Sequence, residues 1–220
     1  GALRPRQVAL IKAVSAKPVL QDDFLYGAYT EGEMVRFAVD VATAFGFDWT
    51  RGRQDKSVHP FASGIGSDDV RITTRWVESL PFGLLFGTMH ETGHGLYEQG
   101  VAKAHHRTPI EGGASLGVHE SQSRLWENQV GRGRPFWKFF EPRFRELFPA
   151  AMAKVSSEEL YLAINAVRPT LIRVDADEVT YNLHIILRFE IERDLIAGAI
   201  EVNASKEEKQ MFILCQQRQI

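Results

Sequence analysis

Residues 87–100, GTMHETGHGLYEQG, place two histidines four positions apart with a glutamate directly after the first. Residues four apart on an α-helix lie on one face, about 5–6 Å apart at Cβ. His90 and His94 can therefore bind one metal ion, since zinc takes imidazole nitrogens at about 2.0–2.1 Å. The helical period turns Glu91 about 100° away from His90. Glu91 can thus reach a metal-bound water without being a ligand.

The sequence around this motif is typical of a buried helix. Ser79 can cap a helix that has Pro81 in its first turn, and Gly100 can end it. The apolar stripe of this helix consists of Phe82, Leu85, Phe86 and Met89. His90 and His94 adjoin that stripe, which predicts that they face inward. Each glycine in a helix interior costs about 1 kcal/mol relative to alanine, so we expect another segment to approach the backbone closely. These glycines are Gly83, Gly87, Gly93 and Gly95.

Two histidines leave a third ligand to be found, and a glutamate from a later helix is one known solution. The candidates are Glu111, Glu120 and Glu127. Glu120 lies on the inward edge of a helix predicted at about residues 115–130. Glu127, two turns further along, could orient a ligand histidine or be a surface charge, and the sequence favours neither.

The rest of the chain is predicted to be mainly helical. In residues 31–45 the apolar side chains recur at steps of three and four before Gly46, which indicates an amphipathic helix. Further helices are predicted at about 156–167 and about 178–197, and the second is apolar on most sides and therefore expected to be buried. Residues 70–76 alternate apolar and polar side chains, which predicts a strand, with residues 64–67 as the turn of a hairpin.

Composition limits the classes of function. The chain has 26 Lys+Arg and 28 Asp+Glu, a formal net charge of −2, and no basic patch that would suit nucleic acid or an acidic membrane surface. A lone cysteine, Cys215, excludes an internal disulfide and suits a reducing compartment. No apolar run approaches the roughly 18 residues of a membrane span, and no signal-peptide pattern opens the chain. We expect a cytoplasmic protein with one domain, residues 1–220.

Five motifs occur in the order HPF (59–61), DVRIT (69–73), HETGH (90–94), HESQSR (119–124) and IRVDAD (172–177). Together they resemble the motifs of the thermostable (Taq-type) HExxH metallocarboxypeptidase family. The resemblance covers roughly residues 20 to 200, and it is specific because all five motifs keep their order.

The resemblance implies a mainly α, zincin-like metallopeptidase core with one small antiparallel β-sheet near the active site. It further implies a metal-dependent exopeptidase, usually homodimeric, that acts on peptides with a free C-terminus. The expected metal is zinc, with cobalt or manganese as alternatives. The implied metal ligands are His90, His94 and Glu120. The resemblance implies that Glu91 is the general base and that Arg71 and Arg173 help to hold the substrate.

The residue types agree with carboxylate recognition, because arginine binds a carboxylate through paired hydrogen bonds. For Arg173, an internal salt bridge to Asp175 or Asp177 is the alternative. The strand that carries Arg71 could also bind the substrate as an added strand if it lies at the sheet edge. His59 either lines the cleft in which this substrate would bind or has a structural role.

The other histidines are harder to assign. His119 has either a cleft role or a packed, hydrogen-bonded one, and His184 is expected in the core. His105 and His106 are expected at the surface.

The family's helical N-terminal portion and its later Gly-x-x-Gln-Asp-x-His-Trp motif are missing from this chain. We therefore expect a fragment of a larger catalytic domain that exposes apolar surface and self-associates. Two alternatives to a carboxypeptidase remain: a related HExxH endopeptidase or oligopeptidase with structural arginines, and a metal-binding fragment that folds or dimerises without catalysis.

Overall fold

The structure is a computed structural model that describes residues 3–18, 20–27, 29–66, 68–170, 172–173 and 176–200. Its helices are α1 (Leu3–Ser15), α2 (Glu31–Phe45), α3 (Pro81–Gln99), α4 (Leu116–Arg124), α5 (Arg134–Leu147), α6 (Pro149–Met152), α7 (Ser157–Ile164) and α8 (Glu178–Ile196). Its strands are β1 (Gly52–Lys56), β2 (Ala62–Gly64) and β3 (Val70–Thr74). Short 3₁₀ turns lie at Asp23–Tyr26 and Lys103–His105, and α4 continues into a π-helical turn, Leu125–Val130. The prediction of a mainly helical chain is confirmed.

The described residues form two compact units. The first is Gln21–Ile164, which holds the sheet and helices α2 to α7. The second combines the described residues up to Leu20 with those from Asn165 onward, and it contains α1 and α8.

The core of the first unit is built from aromatic rings on α2, α3 and α5. Phe144 of α5 is fully buried and packs against Phe37 of α2 and Phe82 of α3, with ring centroids 5.0 and 5.5 Å away. The helix predicted at residues 31–45 is confirmed with the same bounds. Thr30 caps its start by accepting from the Glu33 N–H, and Gly46 ends it at φ +98°. This core fixes α3, the helix that carries His90 and His94.

The sheet has the strand order β1-β3-β2, so β3 is central. The hairpin of β2 and β3 is antiparallel, as predicted, but β1 pairs with β3 in parallel, so the sheet is mixed and not antiparallel. The suggestion that the Arg71 strand could add a substrate strand is wrong, because both edges of β3 are already paired. Val70 and Ile72 are fully buried, and Gly95 of α3 lies against Ile72, which anchors the sheet to the motif helix.

In the second unit α1 and α8 make polar contacts, and Ile11 of α1 is buried. Arg4 lies 3.1 Å from Glu190, and Asp177 caps α8 by accepting from the N–H groups of Val179 and Thr180. The prediction that the final helix is buried is wrong for the part of the chain that the structure describes. Its buried residues are Thr180 and His184, whereas Ile185, Phe189 and Ile196 are 43%, 63% and 80% exposed.

Among the described residues, no helix combines the length and apolar character that a membrane crossing requires.

Candidate metal centre

Three predicted ligand residues meet between α3 and α4. Glu120 Oε2 lies 3.5 Å from His90 Nε2 and 3.2 Å from His94 Nε2, and the candidate ligand atoms all lie within 4.8 Å of one another. Four bonds of about 2.0–2.1 Å to a tetrahedral zinc separate neighbouring ligand atoms by about 3.3 Å. The two nitrogens and the carboxylate oxygen therefore fit a divalent ion placed between them.

Gly93 allows the two helices to come this close. A Cβ atom at this position would lie 2.6 Å from the Ser123 Cα and 2.7 Å from the Gln122 carbonyl oxygen. The α4 backbone therefore crosses α3 at Gly93, one residue before His94. Ser123 is buried at the crossing and donates its hydroxyl to the Glu120 carbonyl and carboxylate oxygens, at 2.7 and 3.0 Å.

The close approach expected at the helix glycines is confirmed for two of the four. Gly93 contacts α4, and Gly95 contacts Phe47 and Ile72. The expectation is wrong for the other two in the described structure. A Cβ at Gly83 would meet only Leu80, at 3.9 Å, and one at Gly87 would meet nothing within 4 Å.

Glu127 orients the first histidine. Its Oε2 lies 2.7 Å from His90 Nδ1, and its side chain is only 15% exposed, so the surface-charge interpretation is wrong. Because the carboxylate accepts the Nδ1 proton, His90 Nε2 keeps its lone pair on the side that faces Glu120. Arg124 joins the two glutamates, with Nε 3.2 Å from Glu120 Oε1 and Nη1 2.9 Å from Glu127 Oε2.

The second histidine has a different partner. His94 Nδ1 lies 2.6 Å from His119 Nδ1, and His119 Nε2 lies 2.6 Å from Glu98 Oε1. The structure thus favours the packed, hydrogen-bonded role of His119. Sequence reasoning missed Glu98, although its position one helical turn after His94 on α3 was a usable signal.

The carboxylates differ in their electrostatics. Burial alone would raise the pKa of Glu120, but the neighbouring His94, His90, Ser123 and Arg124 side chains outweigh it and lower the pKa to about 2. Burial raises the pKa of Glu91, which is 6% exposed, against the opposing effect of the neighbouring histidines. Glu120 is thus suited to bind a cation, and Glu91 to accept and release a proton.

His59 lies close enough to Glu91 to act on its pKa electrostatically. It is exposed, and its Nδ1 lies 2.7 Å from the Pro60 carbonyl oxygen. Glu111, the other candidate ligand, belongs to a separate cluster in which it pairs with His106 at 2.8 Å. His105 and His106 are exposed, as expected.

The two arginines differ in their surroundings. Arg71 is exposed on β3 and donates twice to Asp69, at 2.9 Å each. Arg173 belongs to the second unit, where its guanidinium contacts the ring and hydroxyl of Tyr181. Of its suggested aspartate partners, Asp177 caps α8, and Asp175 lies outside the described residues.

A family model described as carboxypeptidase Taq (M32) metallopeptidase matches residues 1–208. Thermostable carboxypeptidase 1 of Thermus thermophilus is 52% identical over 176 residues, which are 80% of this chain and 34% of the relative. Carboxypeptidase 1 of Bacillus subtilis is 38% identical over 201 residues, 91% of this chain and 40% of the relative. The crystal structure of the M32 carboxypeptidase from Deinococcus radiodurans R1 has a TM-score of 0.90 at 49% identity, and the match covers 92% of this chain and 41% of that one.

The chain therefore spans 34% to 41% of the length of these relatives. The matched region includes α3 and α4, which bring His90, His94 and Glu120 together. The resemblance inferred from five ordered motifs is confirmed, and the chain belongs to the carboxypeptidase Taq (M32) metallopeptidase family.

Proposed function

We propose that this chain is the catalytic core of a metallocarboxypeptidase, which removes residues from the C-terminus of peptides by hydrolysis. The observation that carries the proposal is the convergence of His90, His94 and Glu120 beside a buried glutamate, Glu91. Membership in a metallopeptidase family supports it.

In this proposal each residue has a defined role. His90, His94 and Glu120 bind the metal, with Glu127 and Arg124 holding two of them in orientation. A divalent ion held there would supply the charge that lowers the pKa of a water molecule and polarises a carbonyl group. Glu91 takes the proton that the attacking water loses and delivers it to the leaving amine. No side chain has to act as a nucleophile.

We propose zinc as the metal, because two imidazoles and one carboxylate with an open fourth position form a typical catalytic zinc site. Cobalt and manganese are the alternatives, since the same donor set accepts them. The lone cysteine suits a cytoplasmic protein, and the family resemblance implies a homodimer.

For the substrate we propose a peptide with a free C-terminal carboxylate. Arg173 and Arg71 are the candidate carboxylate-binding residues, because guanidinium groups bind carboxylates through paired hydrogen bonds. His59 is the third candidate, and its electrostatic influence on Glu91 supports a position in the substrate cleft.

The experiment compares metal content with hydrolysis in single variants of the 220-residue chain. His90→Ala and His94→Ala should each abolish binding of one zinc per chain. Glu91→Gln should keep the zinc, because only the proton acceptor is lost. It should slow the hydrolysis of a dipeptide with a blocked N-terminus and a free C-terminus by about 10²–10⁴-fold.

Glu111→Gln is the matched control, since this glutamate also pairs with a histidine but lies in a separate cluster. It should keep both zinc and activity. Loss of zinc in Glu91→Gln would make Glu91 a ligand and overturn the assignment of roles. Loss of zinc in Glu111→Gln would move the third ligand away from Glu120.

A further inference from the structure

We propose that Glu98 is a positioning residue for the metal centre and acts on His94 through His119. In this relay Glu98 fixes the tautomer of His119, and His119 fixes the tautomer and ring orientation of His94. The proposal rests on the proposed metal centre and adds a residue that no ligand motif contains.

With both imidazoles neutral, the hydrogen bonds allow one order of donors. An ionised carboxylate only accepts, so the 2.6 Å contact with Glu98 Oε1 places a proton on His119 Nε2. A neutral imidazole then has its lone pair on Nδ1, and His119 accepts the Nδ1 proton of His94 across the other 2.6 Å contact. His94 Nε2 is left with a lone pair, and this atom lies 3.2 Å from Glu120 Oε2.

Without a hydrogen-bond acceptor at residue 98, nothing places the His119 proton on Nε2. The neutral His119 ring could then carry its proton on Nδ1 and donate it to His94 Nδ1. The proton of His94 would in that case sit on Nε2, the atom that faces Glu120 and the metal position. Such a tautomer has no lone pair for the metal, so the relay contributes directly to metal affinity.

The surroundings hold the relay in place. The side chains of Glu98 and His119 are about three-quarters buried, at 26% and 20% exposed. The Tyr97 ring packs edge-on against His119 with centroids 4.8 Å apart, and its hydroxyl accepts from the Ala114 N–H. At the end of β2, a Cβ on Gly64 would lie 3.2 Å from Glu98 Oε2, so glycine leaves room for the carboxylate.

The two ligand histidines therefore depend on separate carboxylates. His90 is oriented directly by Glu127, which follows α4, whereas His94 is oriented by Glu98 of its own helix through an intervening ring. A change at residue 98 leaves the His90 contact intact, which makes the relay testable by itself.

The test compares Glu98→Leu with Glu98→Gln and Glu111→Gln in the 220-residue chain. Leucine removes the acceptor, and zinc affinity in a chelator competition should fall about 10–100-fold, the usual cost of losing such a partner. Glutamine still offers an amide oxygen to His119 and should restore most of that affinity. Glu111→Gln, in the comparable His106 pair, should change affinity less than twofold.

A second measurement needs no metal. Imidazole ¹⁵N shifts of the zinc-free chain should place the His94 proton on Nδ1 in the parent and in Glu98→Gln, and on both nitrogens in Glu98→Leu. If Glu98→Leu does not fold, His119→Phe keeps a ring against Tyr97 without nitrogen atoms and should produce the same loss of zinc affinity.

Parent zinc affinity in Glu98→Leu, or an unchanged His94 tautomer, would overturn the relay. An equal loss of zinc affinity in Glu111→Gln would also overturn the relay, because the loss would then not be specific to the Glu98–His119 contact. A parent chain that binds no zinc would instead contradict the proposed metal centre, and the ¹⁵N shifts would still decide on the relay.

Discussion

Gly93 lies where the backbone of α4 crosses α3, and a side chain there has no room. The added Cβ of Gly93→Ala would meet backbone atoms of Ser123 and Gln122 at 2.6 and 2.7 Å, and backbone cannot move aside as a flexible side chain can. We expect Gly93→Ala to lower the free energy of unfolding by about 1–3 kcal/mol. It should also weaken zinc binding, because Glu120 is carried by the displaced helix. Urea unfolding and a zinc titration measure the two effects.

Gly87→Ala is the control on the same helix. Its Cβ would meet nothing within 4 Å, so the higher helix propensity of alanine should raise the free energy of unfolding by up to about 1 kcal/mol. If both variants changed stability equally, the crossing at Gly93 would not be the reason for its glycine.

At the residue scale, the sequence predicts the contacts that follow from helical spacing. His90 and His94 share a face because they are four residues apart. The need for a third ligand leaves Glu111, Glu120 and Glu127 as candidates, and the family resemblance selects Glu120. The Glu98–His119 pair could not be predicted in this way. Helical spacing puts Glu98 below His94, but which residue of α4 faces it depends on how the two helices cross.

At the scale of single elements, α5 shows how one face of a helix carries the core. Phe144 is 0% exposed and packs on the rings of Tyr29, Phe37 and Phe82, whereas Phe139 on the same helix is 72% exposed. We expect Phe144→Ala to reduce the free energy of unfolding by about 3–5 kcal/mol through lost burial and a remaining cavity. Phe139→Ala should change it by less than about 0.5 kcal/mol.

Chemical denaturation of both variants checks this pair. A similar loss in each would mean that α5 is rotated relative to the described packing.

The elements that sequence analysis missed depend on partners distant in sequence. The segment of β1, GRQDK, has no apolar alternation. It becomes a strand because it pairs along β3, and Gln54 also donates to Thr88 of α3 at 3.0 Å. For α8 the apolar composition suggested burial, but composition does not say whether the chain also supplies a surface to cover Ile185 and Phe189.

At the scale of the whole molecule, the proposed exopeptidase specificity depends on two candidate arginines, Arg71 and Arg173. Arg71 belongs to the unit of the metal centre and Arg173 to the other. The Nε and Nη2 donors of Arg71 are already engaged by the Asp69 carboxylate, whereas the Arg173 guanidinium contacts the phenol of Tyr181. Within the described residues Arg173 therefore retains more capacity to bind an added carboxylate, and we propose that it has the larger share of that role.

This assignment predicts a difference between two substrates that differ in one group. Arg173→Ala should reduce kcat/KM for a peptide with a free C-terminal carboxylate by about 10²–10³-fold, since truncating one partner of a charge-assisted pair costs about 2–5 kcal/mol. The same peptide with a C-terminal amide never uses the charge pair, and its slow cleavage should hardly change. Arg71→Ala should give a smaller difference between acid and amide. Zinc content and melting temperature, measured on each variant, separate this effect from damage to the fold. Equal losses on acid and amide would mean that the arginines support the structure, and carboxylate recognition would then have to reside in other residues.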